Sequence, residues 1–302
     1  MPHEDRIRLP ALRSRITTAE AAAEWIRDGM VVGMSGFTRA GDAKAVPLAL
    51  AARARRAPVE ITLVGGASLG RGVCRSRARA LMSGSARAGD TKAVPLPVAA
   101  PARHAPMKIT LMTGASLGGD VDRQLTEAGA IRRRMPFQVD TVLRQAINRG
   151  EVMFIDHHLS ETVEMLRTRQ IPPIDIAIIE AVAITETGAL VPSTSIGNSA
   201  SFAILADKVI VEINTSQSTA LEGLHDIFIP KHRPQREPMP LVAPHDRIGT
   251  SAIEIPPEKI LGIVITDKAD STSTVLPADA EGAAMPGHLA AFLPGGVAQG
   301  GV

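Results

Sequence analysis

The sequence predicts an α/β domain built on a mostly parallel sheet with helices on both faces. Two observations lead there. Short apolar runs alternate with helical segments of 8–12 residues along most of the chain. Several of those runs, such as Met30–Met34 and Val152–Ile155, are continuously apolar and read as buried strands.

Each element has its own local reason. Thr17-Thr18-Ala19-Glu20 reads as a capping box ahead of AAAEWIRDG, so a helix is expected to run to about Asp28, with Gly29 ending it. Met30–Met34 follows as a buried strand. Val46–Ala52 reads as a helix with Pro47 in its first turn. Beyond residue 140 the alternation continues. Helices are expected over Thr141–Asn148, Glu161–Thr168 and Ser199–Ala206. Strands are expected over Val152–Ile155, Ile174–Ile179, Ala189–Val191, Lys208–Ile213 and Ile260–Thr266. His288–Phe292 suggests a last short helix, and the closing LPGGVAQGGV carries no packing pattern and is expected to fray.

A repeat interrupts this order. Residues 34–73 and 82–121 are related by an offset of 48, with 27 identities in 40 positions. Two such close copies read as a recent tandem duplication, or an assembly error in the gene, rather than a solenoid. The first copy follows a strand and continues into a helix. The second follows CRSRARAL and carries Pro97 and Pro101 where the helix would be. One copy is therefore expected to take the native place and much of the other, an insert of about 71–118, to bulge out. The repeat also explains a lopsided charge. Residues 1–134 hold 22 Lys/Arg against 11 Asp/Glu, and 135–302 hold 11 against 20. Eight of those basic residues lie in 71–118, so the basic half marks the repeat rather than a binding site for an anionic polymer.

Composition narrows the function. The single cysteine, Cys74, supports neither a disulfide framework nor a cysteine metal cluster. With no Tyr, one Trp and six Phe, a base-stacking platform is disfavoured, so no nucleic-acid partner is expected. No apolar run approaches the roughly 18 residues of a spanning helix, and MPHEDRIRLPALRSR has no apolar stretch after its charges. The expectation is a cytoplasmic protein with no membrane partner.

In parallel sheets ligands bind at the carboxyl ends of strands, and two glycine loops fall there. The first is Ser35-Gly36-Phe37-Thr38-Arg39-Ala40-Gly41, where glycine permits close approach and the following helix start offers N–H groups to an anion. A tight strand-to-helix turn is the alternative. The second is Pro192-Ser193-Thr194-Ser195-Ile196-Gly197-Asn198, whose hydroxyls suit a carboxylate or phosphate; a capped helix start near Asn198 is the alternative. Neither loop is a nucleotide fingerprint. Asp156-His157-His158 lacks a third ligand at metal-site spacing and reads as structural, so no metal is expected. Glu180, ending IDIAIIE, could act as base or nucleophile, but a half-exposed structural acid is the commoner case.

Several blocks taken together carry a resemblance: SGFTRAGDAKAVP, TGASLGGDVD, FIDHHLSE, IDIAIIEAVAIT, TSIGNSASF, KVIVEINTSQ with LEGLHDIFIP, and DRIGTSAIEIPPEKILGIVITD. In this order they resemble the acetyl-CoA hydrolase/transferase family, which includes succinate–acetate CoA-transferases. The resemblance covers about residues 17–267 apart from one 48-residue period. It implies the first of two CoA-transferase-type domains, over 1–269, with 270–302 a truncated tail. It implies coenzyme A as a substrate rather than a resident cofactor, and an acyl-CoA and a small carboxylate such as acetate or succinate as partners. A glutamate of the second domain would attack the acyl-CoA and pass through an anhydride to a glutamyl-CoA thioester. No residue here matches that glutamate, so no catalytic residue is assigned and the chain alone is expected to be inactive. A non-catalytic ligand-binding remnant, or one subunit of a split enzyme, are the alternatives. The family's first substrate-facing loop matches Ser35, Gly36, Phe37 and Gly41, and its second matches Gly197 and Asn198. Their implied role is to shape the pocket and offer backbone donors to the substrate carboxylate. Association, either of like chains or with a second-domain subunit, is expected from the apolar faces such a domain presents.

Overall fold

The structure, a computed structural model, describes residues 4–37, 40–54, 60–65, 109–115, 126–127, 129, 131–137, 140–270 and 277–292. One compact unit extends to Ser271, and a second begins at Thr272.

Within the first unit, 3-10 turns at Glu4–Arg6 and Pro10–Arg15 precede β1 (Ile16–Thr17), α1 (Ala19–Glu24) and β2 (Val31–Met34). Then come α2 (Ala45–Ala54), β3 (Ile61–Gly65), β4 (Ile109–Ala115) and β5 (Ile131–Phe137). They are followed by α3 (Thr141–Asn148), β6 (Met153–Phe154), α4 (Thr162–Arg167), β7 (Ile176–Ile184) and β8 (Leu190–Pro192). The unit closes with α5 (Ser199–Leu205), β9 (Lys208–Asn214) and β10 (Ile260–Thr266). In the second unit a single helix, α6 (Ala280–Phe292), is described; it starts eight residues before the expected His288 and contains Pro286.

Nine strands form one parallel path in the order β1-β10-β9-β7-β2-β3-β4-β5-β6, and β8 pairs antiparallel with β7. The expected α/β class is thus observed. Strand side chains alternate between two cores. Val32, Met34, Ile178 and Ile210 face one core, together with α1, α2 and α3. Val31, Ala177, Ile179, Val209 and Val211 face the other, under α4, α5 and the N-terminal turns. Because both faces are covered, every residue of β7 is buried.

The local differences from expectation have physical causes. Thr18 rather than Thr17 caps α1, accepting from the Ala21 N–H at 3.1 Å. The helix stops at Glu24, and Arg53 from α2 donates to the Ala23 and Ile26 carbonyls, which satisfies the groups a longer helix would have used. The helix expected over Glu161–Thr168 is a 3-10 turn, Leu159–Glu161, followed by α4. Trp25 packs over Gly262, where an added Cβ would meet the indole at 2.6 Å.

The repeat is resolved in an unexpected way. Both copies of its Ile-Thr-Leu segment are sheet strands, and they pair with each other. Ile61 faces Ile109, Thr62 faces Thr110 and Leu63 faces Leu111, an offset equal to the repeat length. Two copies of one strand sequence share the same pattern and so fit beside each other without a slip. Residues 109–115 of the segment expected to be extruded therefore lie in the sheet, and 66–108 lie outside the described residues.

Candidate functional site

The chain leaves β2 through Ser35. Its N–H donates to Ile178 O at 2.9 Å, and its hydroxyl accepts from Glu180 N at 2.9 Å while donating to Gly41 O at 3.0 Å. The side chain thus prolongs the β2–β7 ladder and folds the loop back over it. Gly36 follows with φ +120°, and a Cβ there would lie 2.6 Å from Asp42 Cβ. Phe37 and Ala40 exchange backbone hydrogen bonds at 3.0 Å, closing a tight turn.

The second glycine loop meets the first. Gly41, at φ +62°, sits so close to Ser195 that a Cβ would lie 2.8 Å from its Oγ; Ser195 donates to Ala40 O at 2.6 Å. Gly197, at φ +48°, packs on Phe37, whose Cβ is 3.3 Å from where its own would be. The six residues singled out from sequence therefore form one surface. Ser35 is buried at its base, Gly36 and Gly41 shape the crossing, and Phe37 and Gly197 are exposed beside the half-buried Asn198. Asn198 stands at the N-cap of α5 but makes no side-chain capping bond.

Beneath this surface lies a buried charged cluster that sequence reasoning largely missed. Glu180 of β7 and Glu212 of β9 are Cα partners in the sheet, both on the α2 face. They resolve their proximity by taking different partners. Glu212 is fully buried and accepts from the backbone N–H groups of Lys44, Ala45 and Val46 at 2.7, 2.9 and 2.7 Å. The anion at the start of α2 is thus the protein's own carboxylate, and those donors are not offered to a ligand, contrary to the reading of that helix start. Burial raises the Glu212 pKa, against the pull of the three N–H groups.

Glu180 accepts from Lys44 Nζ at 2.5 Å, Ser193 Oγ at 2.7 Å and Asn214 Nδ2 at 3.0 Å. It is 2 % exposed, not the half-exposed acid expected from its place near a strand end; the strand runs on four residues beyond it. Lys44 also lies 2.9 Å from Asp270 and 3.7 Å from Asp42. Asp270 in turn accepts from Thr194 Oγ1 at 2.5 Å. Two hydroxyls of the second loop, those of Ser193 and Thr194, do bind carboxylates, but the carboxylates are internal; Ser195 binds the Ala40 carbonyl.

One ammonium cannot neutralise three buried carboxylates. Burial raises the pKa of Asp42, with Lys44 opposing and Asp270 reinforcing. Burial works against the ammonium of Lys44, but Asp42 and Glu180 outweigh it and its pKa is raised. For Glu180, burial outweighs the pull of Lys44 and Ser193, and the carboxyl titrates at about 7 instead of 4.5. The folded state therefore holds this proton more tightly than the unfolded chain. The associated stability is complete below about pH 4.5 and is lost as pH rises through about 7. Glu180→Gln, which cannot ionise, is expected to gain on the wild type by up to about 3 kcal/mol between pH 5 and pH 8. Urea unfolding at the two pH values checks this; parallel shifts of both proteins would contradict it.

Asp156, His157 and His158 are not brought to a third ligand among the described residues. His157 instead bonds Thr162 Oγ1 through Nε2 at 3.0 Å. On the far side of Gly197 and Asn198, a cavity of about 460 Å³ is bordered by Arg167, Arg236, Ser160 and Ser201. Both arginines contact Glu164, at 2.8 and 3.0 Å. Among the described residues no helix is long and apolar enough to cross a membrane.

Comparison with known proteins agrees with this architecture. Residues 72–265 match the family model of the acetyl-CoA hydrolase/transferase N-terminal domain. Succinyl-CoA:acetate CoA-transferase of Clostridium kluyveri is 37 % identical over 299 residues, covering 98 % of this chain and 47 % of that protein. Propanoyl-CoA:succinate CoA transferase of Escherichia coli is 31 % identical over 259 residues, covering 84 % and 43 %. An acetyl-CoA hydrolase of Schizosaccharomyces pombe is 40 % identical over 179 residues, covering 57 % and 34 %. The chain spans about half the length, or less, of these relatives. Among solved structures, RipA from Yersinia pestis shares the fold, with a TM-score of 0.54 at 16 % identity over 94 % of this chain and 50 % of that one.

Proposed function

The chain belongs to the acetyl-CoA hydrolase/transferase family, and from that premise we propose that it supplies the carboxylate-binding side of an acyl-CoA:carboxylate CoA-transferase. The observation that carries the reading is the meeting of the two glycine loops at the carboxyl ends of β2 and β8. There Phe37, Gly197 and Asn198 remain open while the hydroxyls of Ser193, Thr194 and Ser195 are engaged inward. A surface of backbone and one aromatic ring suits a small carboxylate carrying a short apolar group.

The nucleophile comes from elsewhere. Glu180 is enclosed by Lys44, Ser193 and Asn214, and Glu212 by the start of α2, so neither carboxylate has an oxygen free to attack a thioester. A glutamate of a second domain, in the same protein or a separate subunit, would take that role over the exposed loops.

Two measurements on the 302-residue chain test this. Acetate at millimolar concentration is expected to slow amide exchange in both 35–44 and 193–198. Succinyl-CoA with acetate is expected to give no acetyl-CoA. Absence of protection at both loops would overturn the carboxylate site. Turnover abolished by Glu180→Gln would place the nucleophile in this chain and overturn the division of roles.

A further inference from the structure

We propose that Asp270 is the positioning residue that holds the two glycine loops in register, a role that rests on the carboxylate site described above. The side chain is one-tenth exposed and comes from the segment after β10, outside both loops. Its Oδ1 accepts from Gly41 N, at the end of the first loop, at 3.3 Å and lies 2.9 Å from Lys44 Nζ, between that loop and α2. Its Oδ2 accepts from Thr194 Oγ1 at 2.5 Å in the second loop and from Gln217 Nε2 at 3.2 Å in the turn after β9. One carboxylate thus ties together chain leaving β2, β8 and β9.

The contacts fall where alignment matters. Gly41 is the residue whose closeness to Ser195 sets the loop crossing, and Thr194 precedes Ser195. Movement of either loop by a few tenths of an ångström would alter the packing of Phe37 on Gly197 and so the surface offered to a carboxylate. Glu180 reaches the same three segments, through Lys44, Ser193 and Asn214, but from β7 itself. It is fixed in the sheet and forms the floor of the arrangement.

Hydrogen exchange read by mass spectrometry on the full chain tests the assignment. In Asp270→Ala, exchange in 35–44 and 193–198 is expected to rise together by roughly tenfold or more, from loss of charge-assisted bonds. Segments 176–184 and 208–214 should be unchanged. Asp270→Asn keeps an acceptor for Gly41 and Lys44, and the Thr194 hydroxyl can turn to accept from the new amide, so this variant should restore both loops. Acetate should protect the loops in the wild type and in Asp270→Asn but not in Asp270→Ala. If Asp270→Ala fails to fold, Thr194→Val removes the shortest contact alone, and exchange should still rise in 35–44, across the crossing. Acceleration confined to one loop, or spread evenly through β7 and β9, would overturn the proposal. If both loops loosen in Asp270→Ala while acetate protects neither in the wild type, the carboxylate reading fails and the positioning of the loops stands.

Discussion

Lys44→Met is expected to cost the fold about 3–5 kcal/mol, the range for breaking a buried ion pair from one side. Methionine matches the length of the aliphatic stem but leaves Glu180, Asp270 and Asp42 facing one another without a cation. Against a total stability of about 5–15 kcal/mol, that loss removes between about a fifth and the whole of it, and the urea midpoint should fall in proportion. The damage should be pH-dependent in a stated direction. Burial raises the pKa of Glu180 and Asp42, so acid protonates them first and weakens the repulsion; the deficit should shrink between pH 8 and pH 5. The stabilisation supplied by Lys44 itself is complete below about 10.5 and is lost only as pH climbs through its raised folded value. A second change, Glu180→Gln, should recover part of the deficit at pH 8, because the two side chains form one network. A deficit below about 1 kcal/mol at pH 8 would mean that solvent reaches the cluster.

Gly36→Ala is the second large effect. Its cost combines two origins: about 1–3 kcal/mol for a non-glycine residue at φ +120° and about 1–3 kcal/mol for overpacking. The added methyl would lie 2.6 Å from Asp42 Cβ and 2.8 Å from Asp42 Cα. Backbone cannot withdraw there without moving Asp42 away from Lys44. Gly29→Ala is the matched control, since Gly29 has φ +82° with nothing within 4 Å of the added carbon. It should cost only about 1 kcal/mol, the backbone share alone. Equal unfolding midpoints for the two variants would show that the loop yields to the methyl.

Much of the fold was legible because local signals and packing agree. Lys208–Asn214 and Ile260–Thr266 are apolar runs covered on both faces, and Thr141–Asn148 is a helix capped by Asp140, which accepts from Val142 and Leu143 N. β5 was not foreseen as a strand, because IRRRMPF carries three arginines in a row. One of them, Arg134, is fully buried, which no period in the sequence announces. At the site, the glycines at 36, 41 and 197 stood out as members of strand-end loops, and their positive φ gives the physical reason for glycine there. The charged cluster was missed because its members are far apart in sequence: Asp42, Lys44, Glu180, Glu212 and Asp270. The usable signal was the glutamate within IAIIEAV and within KVIVEIN. A carboxylate flanked on both sides by apolar residues within a strand must find a partner in the core. Ser193 and Thr194 illustrate the remaining gap: their chemistry was read correctly, yet composition cannot say whether the anion they serve is a ligand or a neighbour.

The pairing of β3 with β4 bears on how a sheet accommodates a repeated segment. A parallel sheet is a row, and adding a member displaces only what stands beyond it. An extra strand beside β3 pushes β5, β6 and α3 outward by one spacing, roughly 4.8 Å, and leaves the opposite side where it was. Every residue of the charged cluster and of the two loops belongs to that opposite side, on or following β2, β7, β8, β9 and β10. Under the reading of the repeat as a duplication, the added strand would act on the sheet as a translation of its margin, away from its centre. A lengthening of equal size between β2 and β7 would have pulled Lys44 from Glu180 by the same distance and dissolved the site.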